Sequence, residues 1–274
     1  IAHSPVDPVG LQGNRAGRGL KLSRTAGNPR LRDKTSVLYS AVDTGRLVPE
    51  AYDAAERARI RVELGVPADC TLIGAVGNVN RYKGHAYFIE AAAKIIECLP
   101  NARFVVVGRR LDTDAGLGAR LEQLTARLGL AQRVVFAGFR DDVPRVLAAL
   151  DVFVLPSILE SCPVALLEAM AMKVPVVATD VGAVREIVDS GRTGFVVPPG
   201  DAGAIADAVL AVLAKPRDEV RNMVDQARKT VESRFAVDTI ARQQKHIYEC
   251  LDRWAGLSDA GDGRRRPLGR PDMH

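Results

Sequence analysis

Short apolar runs alternate with amphipathic stretches along most of the chain. Runs of strand character fall at residues 36–39, 72–76, 103–107, 134–137, 152–155, 174–178 and 195–197. Helical periodicity falls at 85–98, 117–128, 143–150, 164–172, 183–188 and 202–214. The order is a repeated β-α-β. Strands that are apolar throughout, rather than alternating, are what a parallel sheet covered on both faces requires. The pattern therefore predicts an α/β fold built on a doubly wound parallel sheet. Two further helices, at 217–233 and 237–254, have no strand after them and are expected to pack outside the sheet or cross to another domain. Residues 1–33 and 258–274 are rich in Gly, Arg and Pro without apolar periodicity and are expected to be irregular or disordered, leaving 34–257 as the folded domain.

Composition adds exclusions. With 274 residues, 47% hydrophobic and 26% charged, the chain has room for one large or two modest domains and is neither disordered, collagenous nor a disulfide scaffold. The net charge of +5 resides in the two tails: residues 34–257 carry 28 basic and 28 acidic side chains. A neutral body with only 5% aromatics offers neither the electrostatic footprint nor the stacking platforms of a nucleic-acid binder. Cys70, Cys98, Cys162 and Cys250 form no C-x2-C pair, so no zinc site or disulfide framework is indicated and a reducing compartment fits. No apolar run reaches the roughly 18 residues of a membrane span. The chain starts at Ile1 without a signal-like apolar segment, which is the expectation for a fragment or processed chain.

An open parallel sheet binds ligands beyond the C-terminal ends of its strands, so the loops to inspect are 77–84, 108–116, 138–142, 156–163 and 179–183. Neither G-x-G-x-x-G after a strand nor G-x4-G-K-[ST] occurs, which argues against a dinucleotide dehydrogenase and a P-loop NTPase. In the stretch Leu155-Pro-Ser-Ile-Leu-Glu160-Ser-Cys-Pro163-Val164 a strand ends, a loop carries one carboxylate, and a helix follows with a second at Glu168. With Pro163 near the first helical turn, Glu160 lies beside the helix N-terminus and Glu168 more than one turn in. Both acids can face the crevice, beside amides suited to phosphate or sugar hydroxyls, and a carboxylate suits a ribose diol. The bland alternative is that Glu160 complements the dipole and Glu168 is solvated. The second cluster, Gly77-Asn-Val-Asn-Arg81-Tyr-Lys83-Gly84-His85, joins small residues that admit a ligand to two cations suited to a diphosphate. An exposed basic loop is its alternative reading.

Taken together, Gly77-Asn-Val-Asn-Arg-Tyr-Lys83-Gly84, Val105-Val-Val-Gly108, Val134-Val-Phe-Ala-Gly138-Phe, Glu160-x7-Glu168, Pro175-Val-Val-Ala-Thr-Asp-Val-Gly182 and Gly194-Phe-Val-Val-Pro-Pro-Gly200 resemble the C-terminal, donor-binding domain of retaining GT-B glycosyltransferases, family 4, the glycosyl transferases group 1. The resemblance spans roughly residues 35–250. It implies a nucleotide-diphospho-sugar donor in the crevice, an unknown saccharide or lipid acceptor, and no metal or other cofactor. Its catalytic group would be Glu160 on the donor sugar's hydroxyls and Arg81 and Lys83 on the diphosphate. Its donor-binding group would be Gly77, Asn78, Gly138, Phe139, Ser161, Cys162, Val164 and Glu168, with Glu168 on the ribose diol and the Gly138–Phe139 backbone on the base.

Asn78 stands where many family members carry Arg, and Ser161-Cys162-Pro163 stands where glycines commonly follow the first Glu. Asp112-Thr-Asp114 spells D-x-D, the metal motif of a different glycosyltransferase fold, and is read as a loop. Only about forty residues precede the first core strand, so the N-terminal, acceptor-binding domain of the GT-B fold is expected to be largely missing or separate. The expected location is cytoplasmic, peripheral to a membrane if the acceptor is a lipid. The alternatives are a non-catalytic nucleotide-sugar-binding fragment or half of a split enzyme, and a doubly wound hydrolase or epimerase of nucleotide-sugars.

Overall fold

The computed structural model of the chain describes residues 36–110 and 116–254. Six strands, β1 (Thr71–Val76), β2 (Ala102–Val107), β3 (Val134–Gly138), β4 (Val152–Leu155), β5 (Val176–Thr179) and β6 (Phe195–Val197), lie in the order β3-β2-β1-β4-β5-β6. Every pairing is parallel. Helix α1 (Ala54–Glu63) precedes β1, and α2 (His85–Cys98), α3 (Leu117–Arg127), α4 (Val143–Ala149), α5 (Val164–Ala171) and α6 (Val184–Ile187) connect the strands in turn. Three helices follow β6: α7 (Ala202–Leu213), α8 (Arg217–Arg234) and α9 (Val237–Trp254). The expected doubly wound α/β sheet is the architecture observed. Winding proceeds outward from β1 to β3 and restarts at β4, so the loops leaving β1 and β4 part and open a crevice between them.

Two apolar layers sandwich the sheet, which is why its strands carry no polar face. On one side Ile73, Phe104 and Val106 meet Phe88 and Ile89 of α2 and Ile205 and Val209 of α7. On the other Leu72, Val105, Phe153 and Leu155 meet Leu147 of α4, Leu166 and Met170 of α5, and Val231 of α8. Each such side chain contributes about 1.5–3 kcal/mol by its burial. Gly74 sits within β1 because Leu150 presses on it: an added Cβ would fall 2.6 Å from Leu150 Cδ2. Ladder pairing of the fifth strand begins at the Pro175 carbonyl, which accepts from Phe153 N at 2.8 Å. Proline has no N–H to extend that pairing backward, so β5 starts at Val176 rather than at the expected residue 174.

One expectation needs correction, and one helix was not anticipated. The run at 36–39 is not a strand. The backbone after it pairs instead with the α8–α9 corner, Val42 N donating to Phe235 O at 3.0 Å and Val237 N to Val42 O at 3.1 Å, while Tyr39 packs edge-on against Phe235. An extended apolar run becomes a strand only where a neighbour offers an unpaired edge, and this one lies against a helix junction. Conversely, α1 escaped the apolar pattern because only Ile60 of its ten residues is buried. Polar anchors hold it: Asp53 caps its N-terminus, and the Arg61 guanidinium donates to Ala149 O at 3.0 Å, Cys70 O at 2.9 Å and Asp151 Oδ2 at 2.9 Å. Of the last two helices, α8 packs outside the sheet on α5, as expected, while α9 stands largely exposed over 241–250. The 1–33 and 258–274 tails and the D-x-D at Asp112 and Asp114 lie outside the described residues.

Candidate active site at the sheet's switch point

The crevice is bordered by the β1–α2 and β4–α5 loops, and local sequence shapes both. After β1, Asn80 Oδ1 accepts from Tyr82 N at 2.9 Å and Lys83 N at 3.2 Å, folding residues Arg81–Lys83 into a single 3-10 turn. Gly84 then adopts a left-handed φ of 64° and caps α2. Only glycine fits there, since an added Cβ would fall 1.9 Å from Pro156 O. Ile158 N closes the junction by donating to Tyr82 O at 2.7 Å. A second close approach joins the β4–α5 loop to the β5–α6 loop: a Cβ on Gly182 would meet Glu160 O at 2.3 Å, and Ala183 N donates to Ser161 O at 2.9 Å.

These contacts bring two of the expected residues together. Lys83 Nζ lies 2.6 Å from Glu160 Oε1, and the buried Ser157 donates its hydroxyl to the same oxygen at 2.8 Å. Ser157 is held in turn by Thr179, whose Oγ1 donates to Ser157 O at 2.5 Å. The largely buried carboxylate of Glu160 is thus fixed by one cation and one hydroxyl. Arg81 is not part of this cluster; it is exposed, with its guanidinium 5.6 Å from the Tyr82 ring centre.

Pro163 occupies the N-cap of α5, one step before the first turn, and no side chain caps this end. Ser161 and Val164 are exposed at its mouth, and Cys162 packs partly into the core, as a small packing residue does. Glu168 is the fifth residue of α5 and half-buried. Burial pushes its carboxyl above the ordinary carboxylate value, with no compensating donor among the described residues.

On the other side of β1, Gly77 and Gly108 touch: a Cβ on Gly108 would fall 2.0 Å from Gly77 O. Asn78 is exposed and braces this contact, its Oδ1 accepting from Arg109 N at 3.3 Å. Gly138, with φ of 68° and open space around it, leads to Phe139, which is 62% exposed. The Arg109 guanidinium lies 4.9 Å from the Phe139 ring centre. Exposed Tyr82, Ile158 and Leu159 complete an apolar rim.

Four residues that shape the site carry no role legible in the sequence: Ser157, Thr179, Arg109 and His85. The first two are signalled only as polar residues at the ends of apolar strands. Arg109 follows Gly108 directly, and its meaning depends on Phe139 thirty residues later. His85 opens α2 and is 3% exposed. Among the described residues no group of three or more His, Cys, Asp and Glu side chains could hold a metal ion. No described helix is long and apolar enough to cross a membrane.

Residues 70–215 match the family of Glycosyl transferases group 1. A lipopolysaccharide core biosynthesis mannosyltransferase of Rhizobium meliloti is 33% identical over 221 residues, covering 80% of this chain and 61% of that protein. An alpha-D-kanosaminyltransferase of Streptomyces kanamyceticus is 32% identical over 201 residues, covering 73% and 50% respectively. The chain therefore spans about half to three fifths of the length of these relatives. Among solved structures, HepE of Anabaena in complex with UDP-glucose aligns with a TM-score of 0.73 at 29% identity, over 85% of this chain and 60% of that one. The C-terminal domain of a group 1 glycosyl transferase from Francisella tularensis aligns with a TM-score of 0.63 at 29% identity, over 72% of this chain and 99% of that domain. The chain belongs to the glycosyl transferases group 1 family.

Proposed function

We propose that the chain is the donor-binding, C-terminal half of a family 4 retaining GT-B glycosyltransferase, moving a sugar from a nucleotide-diphospho-sugar to a saccharide or lipid acceptor. The observation that carries this reading is the Lys83–Glu160–Ser157 cluster, poised at the switch point between a basic loop and the uncapped N-terminus of α5. Lys83 and Arg81 take the diphosphate, Glu160 orients hydroxyls of the donor sugar, and Glu168 accepts from the ribose diol. Gly77 and Asn78 line the approach to the diphosphate, Ser161, Cys162 and Val164 the sugar's side, and Gly138 and Phe139 the base. As the bond from the anomeric carbon to the diphosphate oxygen breaks, its electron pair stays on the diphosphate, where the cations stabilise it. No metal is assigned a role.

The acceptor side belongs to an N-terminal domain. Exposed Val37, Leu38, Val237 and Tyr248, on the segment before Val42 and on α9, support an apolar partner surface there. The full alignment with an isolated C-terminal domain supports the same division. The absence of a disulfide among Cys70, Cys98, Cys162 and Cys250 supports a cytoplasmic location. A second reading, donor binding without turnover, is favoured by Glu160 being held by Lys83 and Ser157 rather than open to a donor sugar. Calorimetry of the purified chain with UDP, GDP, ADP and dTDP and their sugar conjugates tests the donor site. Saturable binding of one nucleotide, lost in Glu168→Ala, is expected, and a folded chain that binds none refutes the reading. Release of free sugar or its transfer to an acceptor then separates enzyme from binding module.

A further inference from the structure

His85 is the first residue of α2, and its imidazole is buried beneath the start of the cation-bearing loop. Neither Nδ1 nor Nε2 has a hydrogen-bond partner among the described residues. Burial pushes its pKa down to about 4, so the ring is neutral and carries one N–H donor and one bare nitrogen. The backbones of Asn78 and Gly77 act against that shift. A backbone group that favours the protonated ring is an acceptor, so the carbonyls of these two residues lie near the imidazole. Gly77 also touches the stem of Lys83, whose Cδ would lie 3.4 Å from a Cβ at residue 77. An unpaired polar ring destabilises the core it occupies, and an apolar side chain of similar volume would not.

We infer that His85 is the positioning residue of the cation loop: in the donor-bound state its ring N–H bonds the Gly77 or Asn78 carbonyl and sets where Lys83 stands over the diphosphate. This rests on the donor-site reading above. In this structure Lys83 is engaged by Glu160, and on this inference turning it to an anionic ligand draws the 77–83 segment toward the ring.

The test compares the parent chain with His85→Leu and His85→Gln, measuring melting temperature and calorimetric binding of a nucleoside diphosphate and of the matching nucleoside. His85→Leu should melt no lower than the parent yet bind the nucleoside diphosphate roughly three- to tenfold more weakly, with nucleoside binding unchanged. His85→Gln, which supplies a donor and an acceptor, should recover binding to within about twofold. Unchanged diphosphate binding in His85→Leu would reduce the ring to packing, and equal loss for nucleoside and nucleoside diphosphate would remove it from the cation loop. A large fall in melting temperature for His85→Leu would mean that the ring is already bonded at rest, which also overturns the inference. A parent chain that binds no nucleotide overturns the donor reading itself, and this inference with it.

Discussion

Lys83 Nζ and Glu160 Oε1 stand 2.6 Å apart although 77 residues separate them in the chain. The two side chains come from loops leaving adjacent parallel strands, and at rest each neutralises the other. A diphosphate must therefore compete with Glu160 for Lys83. Glu160→Gln removes the competing charge and the repulsion it exerts on an anion, so binding of a free nucleoside diphosphate should strengthen by roughly three- to tenfold. The nucleotide-sugar should gain less, because the carboxylate that would hold its hydroxyls is gone. Calorimetry on both ligands checks this, and an equal gain for both would dissociate Glu160 from the sugar.

Glu168 predicts opposite effects on stability and binding. Its carboxyl has a raised pKa from burial alone, so the folded protein holds an ill-solvated charge at neutral pH. The sign follows from linkage: the folded state binds the proton more tightly than the unfolded one, so this penalty applies above the raised value and disappears as the pH falls through it. Glu168→Gln should thus melt no lower than the parent at about pH 7.5, with any advantage vanishing below about pH 4. Glu168→Ala should weaken nucleotide binding by about 1.5–3 kcal/mol, roughly ten- to over a hundredfold in Kd.

Two glycines with left-handed φ should respond differently to the same substitution. Gly84→Ala incurs the backbone strain and also drives a Cβ into Pro156 O, so the β1–α2 and β4–α5 loops must separate. Chemical denaturation should show a loss exceeding about 2 kcal/mol, and nucleotide binding should be abolished. Gly138→Ala meets nothing within 4 Å and should cost only the strain, about 1 kcal/mol.

Acid should find His85. Its folded pKa of about 4 lies below the ordinary 6.5, so between those values the unfolded chain takes up a proton that the folded chain does not. Stability is fully present above the ordinary value and falls as the pH drops, by roughly 3 kcal/mol once below the folded value. Nearby Lys83 adds to the depression. Carboxylates such as Asp142, held low by Arg140, titrate below the same range. The difference in stability between parent and His85→Leu, followed from about pH 7.5 to about pH 4, isolates the imidazole and should widen steadily.

Much of the fold was legible because burial on both faces forces strands to be apolar throughout. The runs at 152–155 and 195–197 and the helices at 85–98 and 237–254 coincide with observed elements. Where the pattern failed, the controlling interaction was polar or depended on a distant partner. Helix α1 is anchored by Arg61 and Asp151, ninety residues apart, and the run at 36–39 found no free strand edge. Within the site, the residue types around Glu160 and Lys83 were legible, but their pairing was not. Nothing local marks Ser157 and Thr179 as the supports of that carboxylate, or Arg109 as the neighbour of Phe139.

By itself, the sequence determined the layer architecture, the loops that border the crevice and the charges available there. Apolar periodicity is a local record of which faces avoid water, and glycine and proline record where the backbone must turn. Only the tertiary structure decided which charge meets which, that Arg81 stands apart from the Lys83–Glu160 pair, and that His85 lies buried with no hydrogen-bond partner among the described residues. Those outcomes depend on distances of a few ångströms between segments far apart in the chain. Parallel pairing of β1 with β4 and the close packing of Gly84 on Pro156 set those distances, through contacts that no run of neighbouring residues encodes.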